Sequence, residues 1–255
     1  MSQTPAIEVS GLSFGYPQGR LALDGVSFTV APQESVGLVG PNGAGKTSLF
    51  LCLTGVLSPR SGVMRVSGLD VRDPGQRRQL PRHVGIVFQD SDDQLFNSSV
   101  MDDVAFGPLN LGLSAEEVHQ RVAEALEQVG LSGFEQRVPF HLSSGEKRRV
   151  ALAGVLAMRP EILLLDEPSI YLDPRGRREL IRQIKGLRVL KVIAAHDLEL
   201  IRETCARVLV LDHGRLVADG PTRAILADAA LMEAHGLEVP HSLSHHRGDE
   251  QHHET

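Results

Sequence analysis

Long apolar runs are missing from this 255-residue chain. The longest candidates, such as Val150–Met158, are far too short to span a bilayer, so any membrane role has to be borrowed from another subunit. Cysteine is scarce as well. Cys52 and Cys205 lie far apart in apolar surroundings with no metal or redox spacing, and are expected to be reduced core thiols of a cytosolic protein. Positive charge is not in excess: the net charge is −6, which argues against nucleic acid as the main partner. No internal repeat or sustained heptad is present, which excludes solenoids and long coiled coils. The opening Met1–Pro5 has no basic, apolar and cleavage regions and is expected not to be a signal peptide.

What is present is a hydrophobic fraction of 42%, enough for one large α/β domain or one domain with an inserted lobe. Its most informative stretch is Gly40-Pro41-Asn42-Gly43-Ala44-Gly45-Lys46-Thr47, followed by Ser48. The pattern G-x-x-x-x-G-K-T is that of a phosphate-binding loop. Glycines let backbone N–H groups curl round phosphates, lysine reaches the β- and γ-phosphates, and the threonine hydroxyl can ligate Mg²⁺. Ser35–Val39 before it reads as a buried strand. Ser48–Leu53 after it reads as a helix whose positive end faces the phosphates. The alternative is a glycine-rich turn that binds nothing, and the full spacing with both flanks disfavours it. A nucleoside triphosphate is the expected ligand.

Ala6–Val9 and Val26–Val30 read as strands of a β-rich entry segment, with Gly11, Gly15-Tyr16-Pro17 and Asp24-Gly25 as turns. Tyr16 is either an ordinary half-buried aromatic or a platform for a nucleotide base. Gly62–Val66 and Val84–Phe88 are further strands, and the second runs into Gln89 and an acidic loop, Asp90–Phe96. Residues 90–160 are expected to form a mostly helical lobe inserted in the α/β core. Within it Ser114–Glu117 has capping-box spacing, and Val118, Val122, Leu126 and Val129 share one face. Ser143-Ser144 breaks the pattern and Glu146–Met158 resumes it. The core continues with strands at Glu161–Leu165 and Lys191–Ala195. Val208–Leu211 and Leu216–Ala218 flank a hairpin turn at Asp212-His213-Gly214, and Pro221–Gly236 reads as one closing helix. One domain over 1–236 is expected, followed by a flexible tail over 237–255.

Asp166 ends an apolar strand, where a carboxylate can hold Mg²⁺ directly or through water. Glu167 would face the other way and can polarise an attacking water. A solvated acidic turn is the alternative, disfavoured by the phosphate loop upstream. His196 ends a later strand, and the residues alone leave it open between a structural and a γ-phosphate role.

Leu142-Ser143-Ser144-Gly145-Glu146-Lys147-Arg148-Arg149 resembles the signature motif of ATP-binding cassette (ABC) ATPases, usually leucine-serine-glycine-glycine-glutamine. With the spacing to Ile162–Pro168, the resemblance covers about residues 5–235. It implies a P-loop fold of RecA-like α/β core, antiparallel β segment and inserted α-helical subdomain, with ATP and Mg²⁺ as cofactors. It implies that Tyr16 stacks on adenine and that Gln89, with Thr47 and Asp166, ligates Mg²⁺. Glu167 then activates water and His196 contacts the γ-phosphate. Ser169–Asp173, including Leu172, would join the two sites of a homodimer. Leu142–Glu146 would serve ATP held by the other copy. Ser144, Glu146 and Tyr171 depart from the usual residues and put turnover and closure in question.

The stretch Gln89–Ser114, and Ala153–Met158, are similar to those of ATPases from energy-coupling-factor (ECF) importers of vitamins, cobalt or nickel. The similarity implies a peripheral place on the cytoplasmic face of the membrane, a coupling subunit, and a substrate-binding membrane subunit. Asp90, Asp92 and Asp93 are the expected docking charges for arginines of the coupling subunit, and a merely solvated acidic loop is the alternative. Six of the 11 histidines fall at His235, His241, His245, His246, His252 and His253. Such a tail suits nickel or cobalt and tilts the expected cargo that way. Vitamin uptake, a soluble ABC ATPase acting on nucleic acid or ribosomes, and a cassette with little turnover are the alternatives.

Overall fold

The computed structural model describes residues 4–17 and 19–244. A four-stranded antiparallel sheet is built from β1 (Ile7–Gly15), β2 (Leu21–Val30), β4 (Ser61–Val66) and β5 (Leu69–Asp70), in the order β2-β1-β4-β5. The expected turns at Gly11 and Gly25 are instead bulges inside longer strands. Both glycines have positive φ, 59° and 68°, and hydroxyls replace the missing ladder partners: Gly11 N donates to Ser27 Oγ at 2.8 Å and Gly25 N to Ser13 Oγ at 3.0 Å. One extra residue per bulge bends the strand without ending it.

The second sheet has six strands: β3 (Ser35–Val39), β6 (Val84–Val87), β7 (Ile162–Asp166), β8 (Leu190–Ala194), β9 (Arg207–Asp212) and β10 (Arg215–Pro221). Their order is β10-β9-β3-β8-β7-β6, parallel except for the terminal β9–β10 hairpin. Strand β7, Ile-Leu-Leu-Leu-Asp, is buried throughout, as a parallel strand covered on both faces must be. Alternation then divides its side chains. Ile162 and Leu164 join a cluster with Ile7, Leu12, Leu23, Phe50 and Met64 under the antiparallel sheet, and Leu163 and Leu165 join another with Leu126, Val150, Ile184 and Ile201 under the helices. Each fully buried leucine contributes about 1.5–3 kcal/mol of transfer free energy.

The helices are α1 (Lys46–Leu53), α2 (Pro74–Arg77), α3 (Val100–Asn110), α4 (Ala115–Gln128), α5 (Ser144–Leu156), α6 (Pro174–Gly186), α7 (Leu198–Thr204), α8 (Thr222–Ala227), α9 (Ala229–Ala234) and α10 (His241–Ser244). Helix α4 starts on the expected capping box at Ser114 and Glu117 and buries Val118, Val122, Ala125 and Leu126. The single closing helix expected over Pro221–Gly236 is two helices. The Asp228 side chain accepts from Leu231 N at 3.1 Å and restarts the chain as α9. Of the tail histidines, His241 opens α10 and is exposed, whereas His245, His246, His252 and His253 lie outside the described residues.

The parallel order decides where chemistry can occur. Loops leaving β3, β8, β7 and β6 emerge side by side at the carboxyl edge of the sheet. Those loops carry His196, Glu167 and Gln89, and the one after β3 leads into Lys46, the first residue of α1.

Candidate active site

The loop between β3 and α1 is shaped by what cannot be accommodated. A Cβ at Gly40 would lie 2.0 Å from Leu211 O, and one at Gly45, with φ of 107°, would lie 2.4 Å from Ala22 O. Only glycine lets the phosphate loop press against the β9–β10 hairpin and β2. The hairpin turn also braces the loop directly, since Gly214 N donates to Ala44 O at 3.0 Å.

A cavity of about 520 Å³ opens beside this loop, lined by Tyr16, Ala22, Asn42–Ser48, Gln89, Asp166, Glu167, Ile170 and His196. Tyr16 is half exposed at its mouth, edge-on to Phe14, with its hydroxyl 3.3 Å from Ser48 Oγ. Lys46 is nearly buried, and its Nζ donates to the carbonyls of Gly40 (2.7 Å) and Pro41 (3.2 Å) and lies 3.4 Å from His196 Nε2. Burial lowers its pKa, against the raising influence of the Glu167 and Asp166 carboxylates. Burial raises the pKa of Asp166, opposed by the Thr47 hydroxyl, which donates to Asp166 Oδ2 at 2.8 Å, and by Lys46. Thr47, Asp166 and Gln89 are oxygen donors, the kind a hard divalent cation such as Mg²⁺ prefers.

Glu167 carries two signs of a functional position. Its backbone is left-handed, φ 47°, which costs a non-glycine residue about 1–2 kcal/mol. Its carboxylate is buried and only half satisfied: Oε2 accepts from His196 N at 3.1 Å, whereas Oε1 has no hydrogen-bond partner. His196 Nε2 lies 3.4 Å from that oxygen. Glu167 lines the phosphate cavity, and a buried carboxylate oxygen without a partner is suited to accept a proton from water.

The signature residues lie elsewhere. Ser143 caps α5, and its Oγ donates to Glu146 Oε2 at 2.7 Å while accepting from Glu146 N at 3.3 Å. Glu146, a departure from the usual glutamine, therefore closes a capping box, and these bonds hold its pKa down. Ser143, Gly145 and Glu146 line a small separate cavity with Leu172 from the Ser169–Asp173 loop, and Leu142 is buried. Ser144 is the first residue of the helix. Asp173 in turn caps α6, accepting from Gly176 N at 2.6 Å. Among the described residues, none of Leu142–Glu146 lines the phosphate cavity.

The acidic loop is spread over different surroundings. Asp90 caps its own turn by accepting from Asp92 N at 2.9 Å, and Asp92 pairs with Lys147 at 2.6 Å. Only Asp93 of the three lines a groove of about 570 Å³ with Phe96, Phe106 and Asp103. Asp103 and Arg148 are site neighbours that the sequence did not single out. For Asp103 the available signal was a charge beside Val104 and Ala105 in a largely apolar helix; Arg148 stands in the basic run Lys147-Arg148-Arg149, which gave none.

A phosphate loop, strand-end carboxylates and a strand-end histidine converging on one edge of a parallel sheet define a P-loop nucleotide hydrolase of the cassette type. Comparison with known proteins agrees. The ABC transporter family model matches residues 23–170. A putative ABC transporter ATP-binding protein of Streptomyces avermitilis is 52% identical, covering 92% of this chain and 90% of that one. The energy-coupling factor transporter ATP-binding protein EcfA of Methanothermobacter thermautotrophicus is 48% identical over 92% of this chain and 76% of its own. Among solved structures, cbiO1 of Clostridium perfringens, part of the ABC transporter complex cbiONQ, superposes with a TM-score of 0.81 at 33% identity, covering 95% and 99% of the two chains. The chain belongs to the ABC transporter ATPases and, within them, to the ATP-binding subunits of energy-coupling-factor type. It binds and hydrolyses ATP.

Proposed function

We propose that this chain powers an ECF-type importer of nickel or cobalt, as a homodimer in which each copy completes the other's ATP site. The observation that carries the dimer is the separation of the phosphate cavity from the signature cavity within one chain. Backbone N–H groups at a helix N-terminus attract anions, and ATP bound to a second copy would add its phosphates beside the Glu146 carboxylate that already closes the capping box. Closure then gains contacts only when nucleotide is present, and hydrolysis removes them.

Within each site, backbone N–H groups of the phosphate loop and the start of α1 hold the triphosphate. Lys46 exchanges its carbonyl partners for phosphate oxygens. Thr47, Asp166 and Gln89 are the residues that would hold Mg²⁺, which when bound neutralises phosphate charge. Glu167 Oε1 takes a proton from water as its oxygen attacks the γ-phosphorus and the bond to the ADP oxygen breaks. His196 holds Glu167 through its backbone N–H and presents Nε2 to the γ-phosphate. Tyr16 offers a face for adenine.

The groove beside Asp93 supports docking on a membrane subunit. Phe96, 63% exposed, stands edge-on to the half-exposed Phe106 at 5.0 Å, and Asp103 Oδ2 is buried without a partner. An apolar segment carrying an arginine matches that lining. Among the described residues no helix is long and apolar enough to cross a membrane, and a peripheral place on the cytoplasmic face follows from the docking reading. The histidine-rich tail supports a transition-metal cargo. Among the described residues no group of three or more histidine, cysteine or acidic side chains could hold such an ion.

Mixing two inactive variants tests the shared site. Lys46→Ala disables the phosphate loop and Ser143→Arg the signature segment, so a mixed dimer retains one intact composite site. Recovery of phosphate release on mixing is expected, and no gain over either variant alone would refute the dimer. Uptake of labelled nickel and cobalt by cells co-expressing the membrane subunits tests the cargo, and uptake of neither would refute that part.

A further inference from the structure

Arg148 is a buried cation with no role in nucleotide binding as described above. It sits in the second turn of α5, 5% exposed. Its guanidinium meets backbone carbonyls: Nη1 donates to Phe88 O at 2.6 Å, and Nη2 to Gln89 O at 2.6 Å and Glu167 O at 3.5 Å. Burial lowers its pKa, against the influence of the Asp90 and Asp166 carboxylates. Removing a guanidinium from water in this way is costly unless its donors are used. Here they hold the two strand ends from which Gln89 and Glu167 project.

The Phe88–Gln89 segment leaves the sheet just after β6, and its backbone is clamped from two sides. Gln94 Oε1 accepts from Phe88 N at 2.9 Å, and Gln94 Nε2 donates to Ile86 O at 3.1 Å. Arg148 takes the carbonyls that Gln94 leaves. The Gln89 side chain thus enters the phosphate cavity from a backbone fixed on both edges. The same cation stands on the helix capped by Ser143, two residues beyond Glu146 of the signature segment.

We propose that Arg148 is a positioning residue for ATP hydrolysis: it locks the Gln89 backbone, and through Glu167 O the catalytic strand end, to the signature helix. The fork geometry of the guanidinium is what matters, because two nitrogens reach two carbonyls pointing to different neighbours. A lysine places a single nitrogen there, without the two separated donors that reach Phe88 O and Gln89 O in the guanidinium. The proposal rests on the reading of Gln89 as a residue of the hydrolytic site.

The test is a double-mutant cycle on the purified full chain, with steady-state ATP hydrolysis and thermal melting on the same samples. Arg148→Met is expected to lower kcat by about tenfold or more while KM for ATP stays within about twofold, the signature of an interaction used in the transition state rather than in binding. Arg148→Lys is expected to fall between. In Gln89→Ala the further loss on adding Arg148→Met is expected to be clearly smaller than the loss in the wild-type background, because the Gln89 part of its effect is already gone and only the contact with Glu167 O remains. Where Arg148→Met does not fold, Arg148→Lys carries the cycle, and the same non-additivity is expected. A KM that rises with kcat unchanged, or losses that multiply while Gln89→Ala is itself impaired, overturns the proposal alone. Wild-type hydrolysis by Gln89→Ala overturns the reading of Gln89 on which it stands.

Discussion

Replacing Glu167 by glutamine separates chemistry from architecture at this site. The carboxylate has one oxygen engaged, Oε2 with His196 N at 3.1 Å, and one buried oxygen without a hydrogen bond. In Glu167→Gln the amide oxygen keeps the first contact. The amide nitrogen takes the second position, 3.4 Å from His196 Nε2, where it can donate to a neutral imidazole. Relief of an unsatisfied buried acceptor is worth about 1–3 kcal/mol. It is offset by the lost attraction to Lys46, so the melting temperature is expected to stay near that of the wild type. Catalysis has no such compensation, because an amide does not accept the proton of the attacking water. Loss of a general base costs about 10²–10⁴-fold in rate, or about 2.7–5.5 kcal/mol of barrier. Phosphate release from full-length protein, with melting curves and a nucleotide-binding titration on the same preparation, reads all three quantities. ATP affinity is expected to hold, and the variant to accumulate as a dimer in ATP. A rate loss below about tenfold, or one that tracks a collapse in melting temperature, would refute the assignment of Glu167 as the base.

Asp93→Lys is expected to abolish co-purification with the membrane subunits while sparing ATP hydrolysis; normal co-purification would remove Asp93 from the groove's function. Cys52 and Cys205 have thiol pKa values pushed up by burial to about 12 and about 11. Both should resist iodoacetamide at pH 8 until denaturant is added, and rapid labelling of the native protein would contradict their burial. Burial raises the Glu199 pKa, but the backbone N–H of Ser242, Arg202 and the Ser242 hydroxyl outweigh it and bring it down to about 2, from an ordinary 4.5. Because the folded value is the lower one, the grip of Glu199 on α10 is fully present above pH 4.5 and is lost as pH falls towards 2. Amide-exchange protection at Ser242 is expected to fall over that window and to become independent of pH in Glu199→Gln; protection unchanged down to pH 2 would refute the link.

The chain itself determined the phosphate loop and the strand-end carboxylates, since these rest on local spacing. Gly40 through Thr47 must be contiguous to wrap a phosphate, and Asp166 must follow an apolar run to stand at a strand end. The capping box at Ser114 and the hairpin turn at Asp212-His213-Gly214 were legible for the same reason: each is closed by residues a few positions apart. What the sequence could not decide was which distant groups meet. Gly11 and Gly25 looked like turns because a glycine in an alternating pattern marks either a turn or a bulge, and only hydroxyls across the sheet, from Ser27 and Ser13, select the bulge. Asp90, Asp92 and Asp93 looked equivalent, and Lys147, 55 positions from Asp92, distinguished them. Arg148 stands in the basic run Lys147-Arg148-Arg149, and only the fold brings its guanidinium onto carbonyls 59 and 60 positions away. Local hydrogen bonds are encoded where they are made. Burial and long-range pairing are properties of the packed sheet and helices, and these placed the unsatisfied oxygen of Glu167 beside His196.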